Sequence, residues 1–167
     1  MNRILYFAYG SNMNLDQMAV RCPDAVAACT VQLDGYRLAF RSNGSKVGVA
    51  TLLPDSKSTV SGVLWRISDM DESRLDHYEG FPYLYGKKEV IVTDRAGTRH
   101  QVMVYVMNPP FRESPAMPSP AYLDGILTGC KQNGVDRWNV LKAVRRTRQE
   151  LDVSRSEVKR AVPTQER

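Results

Sequence analysis

The hydrophobic pattern opens with Ile4, Leu5, Tyr6, Phe7 and Ala8, an apolar run that stops at Tyr9-Gly10-Ser11-Asn12-Met13. A short run of large apolar and aromatic residues without polar alternation predicts a buried strand. Gly10 permits a turn at its end, and Ser11 and Asn12 can hold a loop through bonds to nearby backbone. Such a loop can present N–H groups to an anion or a carbonyl oxygen. Leu15 to Arg21 follows as a short helix, with Asn14 as cap, Gln17 three residues on, and Pro23 beyond its end. Val31 to Phe40 reads as a strand pair or one long bent strand, with Asp34-Gly35 as a bulge. After an Asn43-Gly44 turn, Val47 to Leu53 is a predicted strand closed by Pro54-Asp55, and Val60 to Ile67 is another. Gly62 in the latter marks a bulge or a close backbone approach.

Met70 to Tyr78 reads as a helix capped by Ser68 or Asp69, with Met70, Leu75 and Tyr78 on its apolar face and Gly80 and Pro82 stopping it. Lys88 to Thr93 and Gln101 to Met107 form a predicted hairpin around Asp94 to Gly97. A proline-rich loop from Asn108 leads to Ser119-Pro120, the cap and first turn of a helix. Tyr122, Leu123, Ile126, Leu127 and Cys130 share one face of that helix. Gly134 ends it, and a last helix from Asp136 turns Trp138, Leu141 and Val144 inward. Beyond Gln149 the apolar pattern thins, so Ser154 to Arg167 is a surface helix or a tail. About six strands and three or four short helices, without strand–helix–strand alternation, predict an α+β fold: a compact, antiparallel, barrel-like sheet with flanking short helices.

Composition narrows this picture. A chain of 167 residues, 43% hydrophobic and 25% charged, suits one soluble domain. No apolar run reaches membrane-spanning length, and no apolar leader precedes a small-residue cleavage site. Cys22, Cys29 and Cys130 are odd in number and scattered, which points to a reducing compartment and a cytoplasmic location. The formal charge is +5, but +3 of it lies from Arg145 onward, so no broad nucleic-acid-binding face is expected. His77 and His100 are the only histidines and sit in no ligand spacing, so neither a metal nor another cofactor is expected.

The most telling acidic residue is Glu79, in Asp76-His77-Tyr78-Glu79-Gly80-Phe81-Pro82, where a helix meets a loop. A helix C-terminus disfavours a carboxylate, and partial burial disfavours it further, so the group becomes a better proton acceptor. An exposed helix-end glutamate is the alternative reading. Ser11 lacks the G-x-S-x-G elbow of a serine nucleophile, and the loop lacks the glycine density of a phosphate cradle. Tyr6, Tyr9, Trp65, Tyr83 and Tyr85 can line a pocket or fill the core.

Taken together, Tyr6-Phe7-Ala8-Tyr9-Gly10-Ser11-Asn12-Met13, Gly62-Val63-Leu64-Trp65, Leu75-Asp76-His77-Tyr78-Glu79-Gly80, Tyr105-Val106-Met107, Pro118-Ser119-Pro120-Ala121-Tyr122 and Gly129-Cys130-Lys131-Gln132-Asn133-Gly134 resemble, in order, the gamma-glutamylcyclotransferase family of the butirosin-biosynthesis-like, or AIG2-like, superfamily. The resemblance spans residues 3 to 144 and implies release of 5-oxoproline from gamma-glutamyl amino acids without cofactor or metal. By this resemblance Glu79 is the acid/base group, Tyr9, Gly10, Ser11 and Asn12 hold the gamma-glutamyl portion, and Tyr6 shapes the pocket. Tyr85 matches a family tyrosine soon after the glutamate, although the spacing leaves Tyr83 open. It also implies a catalytic domain over residues 1–149, a basic polar tail over 150–167, and a small-molecule partner, with a homodimer permitted. Arg41, Arg66, Lys87 and Lys88 are the cations available to steer a substrate carboxylate. Gamma-glutamyl amines, carrier-bound gamma-glutamyl groups, or ligand binding without turnover are the alternative uses of such a site.

Overall fold

A computed structural model describes residues 3–161. Five strands close into a barrel: β1 (Ile4–Ala8), β2 (Val26–Ser42), β3 (Gly48–Ile67), β4 (Tyr85–Asp94) and β5 (Arg99–Met107). Their order is β1-β3-β2-β4-β5, antiparallel throughout except where β1 meets β5 in parallel at Tyr6 and Met103. Four helices surround it: α1 (Leu15–Arg21), α2 (Asp69–Glu79), α3 (Pro120–Asn133) and α4 (Trp138–Ala161). Phe7, Phe40, Leu64, Ile67, Val92 and Val104 fill the core, with Leu75 of α2 and Ile126 of α3 completing it from outside.

The expected barrel-like α+β fold is present, with one strand fewer among the described residues. The stretches read as two strands, Val47–Leu53 and Val60–Ile67, fall from Gly48 onward in the single strand β3, which runs through Pro54-Asp55. Proline lacks the N–H a ladder requires, so it is tolerated where pairing is broken. Pro54 lies opposite Tyr36, where the register shifts between Asp34 and Tyr36. Gly35, at φ 84°, supplies the left-handed conformation of the predicted bulge. Gly62 is a close approach: a Cβ there would stand 2.3 Å from the Ala8 carbonyl oxygen of β1.

Two helix faces differ from expectation. In α2, Leu75 is buried but Met70 and Tyr78 are exposed. Ser68 rather than Asp69 caps that helix, and Asp71 bonds back to the Ser68 N–H. In α4, Val140, Ala143 and Thr147 face β2 while Trp138 and Leu141 are exposed. Both Val140–Ala143–Thr147 and the expected Trp138–Leu141–Val144 have helical spacing, and of the expected face Val144 packs part-buried against the core. This last helix continues past Gln149 to Ala161, so Ser154–Ala161 is helical and residues 162–167 lie outside the described part.

Candidate active site

β1 ends at the predicted loop, which forms a 3₁₀ turn over Ser11–Met13. Met13 N–H donates to the Gly10 carbonyl and Asn14 N–H to that of Ser11, both at 3.1 Å. The first N–H groups of such a turn have no partner inside it. Gly10 sits in close packing, since a Cβ would lie 3.1 Å from the Ala50 Cβ of β3. α3 clamps the turn from outside. Asn133 Nδ2 donates to the Met13 carbonyl at 2.7 Å, and Asn14 Nδ2 donates to the Gly125 carbonyl at 3.0 Å. Trp65 of β3 donates its indole N–H to the Asn12 carbonyl at 3.0 Å.

This turn forms one wall of a cleft of about 210 Å³ at an end of the barrel. All seven residues singled out from the sequence line it: Tyr6, Tyr9, Gly10, Ser11, Asn12, Glu79 and Tyr85. The two later tyrosines are placed differently. Tyr85 is the first residue of β4 and buried, with its hydroxyl donating to the Ala50 carbonyl at 2.5 Å, whereas Tyr83 is 83% exposed.

Glu79 is the last residue of α2, and Gly80 closes that helix in the left-handed conformation at φ 64°. Asn12 Nδ2 donates to Glu79 Oε1 at 3.2 Å and to the Tyr6 hydroxyl at 2.9 Å. Burial raises the Glu79 carboxyl to about 7, against the opposing effects of the Arg21 charge and the Asn12 bond. Burial also pushes Tyr6, Tyr9 and Tyr85 well above the ordinary phenol range, so their hydroxyls stay protonated at neutral pH.

Sequence reasoning overlooked several parts of the site. Tyr105 and Tyr122 line the cleft, but their strand and helix periodicity reads as core. Tyr122 accepts the Ala50 N–H at 3.0 Å, and the Tyr105 hydroxyl donates to Asp76 at 2.5 Å. Arg21, at the end of α1, donates to Asn12 Oδ1 and stacks on Tyr78, contacts that no local spacing announces. None of the four cations expected to steer a carboxylate lines the cleft. Arg41 is buried against Glu150, Lys87 is paired with Glu72 and Asp76, and Lys88 donates to Tyr36. His100 contacts Asp94 at 2.9 Å, and His77 is exposed, both outside the cleft.

The loop and glutamate thus meet in one pocket, and comparison with known proteins gives that pocket a lineage. The gamma-glutamyl cyclotransferase, AIG2-like family profile matches residues 6–124. The chain belongs to this family. It is 34% identical to mouse gamma-glutamylcyclotransferase over 138 residues, covering 78% of this chain and 72% of the mouse protein. It is 32% identical to the human gamma-glutamylcyclotransferase with the same coverage. A solved structure described as a gamma-glutamyl cyclotransferase superposes with a TM-score of 0.75 at 30% identity, covering 88% of this chain and 87% of that one. The family match spans the 3₁₀ turn, the end of α2 and the start of α3, the elements that carry the cleft.

Proposed function

We propose that the protein is a gamma-glutamylcyclotransferase that releases 5-oxoproline and a free amino acid from gamma-glutamyl amino acids, with Glu79 as general acid/base. The observation that carries this reading is the Glu79 carboxyl in the cleft, bonded to Asn12 and held at about 7 by burial. A group poised there has useful fractions of both forms at neutral pH. The carboxylate takes a proton from the substrate's α-ammonium, and the freed amine attacks the γ-carbonyl carbon of the same molecule. The tetrahedral oxyanion draws on N–H groups of the Gly10–Asn12 turn. As it collapses, protonated Glu79 gives that proton to the departing amino group, and the regenerated carboxylate takes the extra proton from the ring nitrogen, which passes to the released amine as the neutral lactam forms. Ring closure within one molecule supplies proximity once the cleft folds the substrate. Tyr6, Tyr9 and Tyr85 shape the walls around the gamma-glutamyl portion, and Ser11 serves the turn rather than attacking. We place the catalytic unit within residues 1–149 and the protein in the cytoplasm, acting on small peptides of glutathione-type metabolism. The three cysteines, all free, agree with a reducing compartment. No helix among the described residues is long and apolar enough to cross a membrane.

The test is product identification from a panel of gamma-glutamyl amino acids, gamma-glutamyl amines and carrier-bound gamma-glutamyl groups. The wild type should release 5-oxoproline from the amino-acid series. Glu79→Gln should fold and lose about 100-fold or more in turnover, the scale of an acid/base contribution. Undiminished turnover by the folded variant would remove Glu79 from the reaction. Turnover confined to carrier-bound substrate would replace the substrate class.

A further inference from the structure

Arg21 ends α1, outside the cleft lining, with its guanidinium set against the turn that holds the site. A single guanidinium nitrogen donates to Asn12 Oδ1 at 2.7 Å and to Ser11 Oγ at 3.2 Å. The guanidinium carbon stands 3.9 Å from the centroid of the Tyr78 ring, and the Tyr78 hydroxyl lies 3.4 Å from the same Ser11 Oγ. Arginine only donates, and an asparagine amide has one accepting and one donating end. With Oδ1 engaged by Arg21, the Asn12 NH₂ is turned to the opposite side, where it donates to Tyr6 and Glu79. The flipped amide would set donor against donor at Arg21 and carbonyl against carboxylate at Glu79. Asn12 therefore has one satisfied orientation, and a residue nine positions away in sequence selects it.

We propose that Arg21 is a positioning residue, locking the Asn12 amide in the orientation that grips the Glu79 carboxylate. This rests on the reading of Glu79 as the acid/base group. Its charge has a second effect, because a cation near a carboxylate favours the ionised form. Of the titratable groups facing Glu79, Tyr6 and Tyr9 come from β1 and the residue after it, Tyr78 from α2, Tyr85 from β4, Tyr105 from β5 and Tyr122 from α3. All are phenols, so Arg21 is the one cation in this set opposing burial. Lysine would keep the charge but lose the planar stack on Tyr78 that holds the donor in place.

Two variants separate the two effects, each compared with wild type by NMR titration of the Glu79 side-chain carboxyl and by the pH profile of 5-oxoproline release. Arg21→Gln should raise the Glu79 midpoint by on the order of one pH unit, and the rising limb of turnover should move with it. Arg21→Lys should leave the midpoint near that of wild type. Its kcat should fall about tenfold with a smaller change in KM, the mark of lost orientation, and its Asn12 side-chain amide protons should exchange faster. An unmoved midpoint together with wild-type Asn12 amide exchange in folded Arg21→Gln would overturn the inference. If that variant fails to fold, wild-type kcat and wild-type amide exchange in Arg21→Lys would overturn it. The NMR measurements need no substrate: a wild type that makes no 5-oxoproline would defeat the proposed reaction while they still decide the role of Arg21.

Discussion

At the scale of single residues, the Glu79 carboxylate works against the fold. Its carboxyl takes up a proton near pH 7 in the folded chain and near its ordinary 4.5 in the unfolded one. The folded state therefore binds the proton more tightly, and stability is lost as pH rises from about 4.5 through about 7. Glu79→Gln removes the burial cost of the charge. Denaturant titration should find it equal to wild type near pH 4 and more stable at pH 8, by up to roughly 3 kcal/mol. A variant less stable at pH 8 would show that the carboxylate is well solvated. Much of the site was legible here: the turn residues and Glu79 stand in recognisable motifs, and the structure brings them together. Arg21 was not legible, because its bonds depend on how α1 folds back over the 3₁₀ turn. Tyr105 and Tyr122 were hidden for the opposite reason, since their spacing fits a core face and they also reach the cleft.

At the scale of elements, the site is held by the packing of α3 on the 3₁₀ turn. Gly129 permits it: a Cβ would fall 2.7 Å from the Asn14 nitrogen and 2.8 Å from the Met13 carbonyl carbon. Both are backbone atoms, so the contact cannot be relieved by rotating a side chain. Gly129→Ala should cost about 1–3 kcal/mol in denaturant melts and lower turnover by displacing the turn. Wild-type stability would mean that α3 can slide. Legibility at this scale divides by the kind of signal. Caps and stops set by local chemistry were clear, including Asn14, Ser119, Gly80 and Gly134. The continuity of β3 was concealed because proline reads as a strand end unless a bulge on the neighbouring strand is known. The phase of α4 was concealed because Trp138 and Leu141 are more hydrophobic than the residues it buries.

At the scale of the molecule, α4 is tied to the barrel by an ion pair between a buried arginine and a half-buried glutamate. Arg41 on β2 is 4% exposed and bonds Glu150 at 3.0 Å, and its Nε donates to the Arg112 carbonyl at 2.8 Å. Removing Glu150's charge leaves a buried guanidinium short of an acceptor, so Glu150→Gln should destabilise by about 1–2 kcal/mol. Deleting residues 153–167 keeps this pair and should leave both melting and 5-oxoproline release near wild type. A loss of turnover on that deletion would extend the catalytic unit into the tail. The barrel seam has a further consequence. The Tyr9 hydroxyl reaches the Tyr105 carbonyl at 2.6 Å, across 96 positions of sequence. Closing so long a loop costs chain entropy that a local hairpin does not. A chain that has built β2, β3 and the β4–β5 hairpin but not seated β1 has most of its sheet and no cleft. A fragment lacking β1 and the turn after it lacks Tyr6 and Tyr9–Asn12 of the cleft wall and should release no 5-oxoproline.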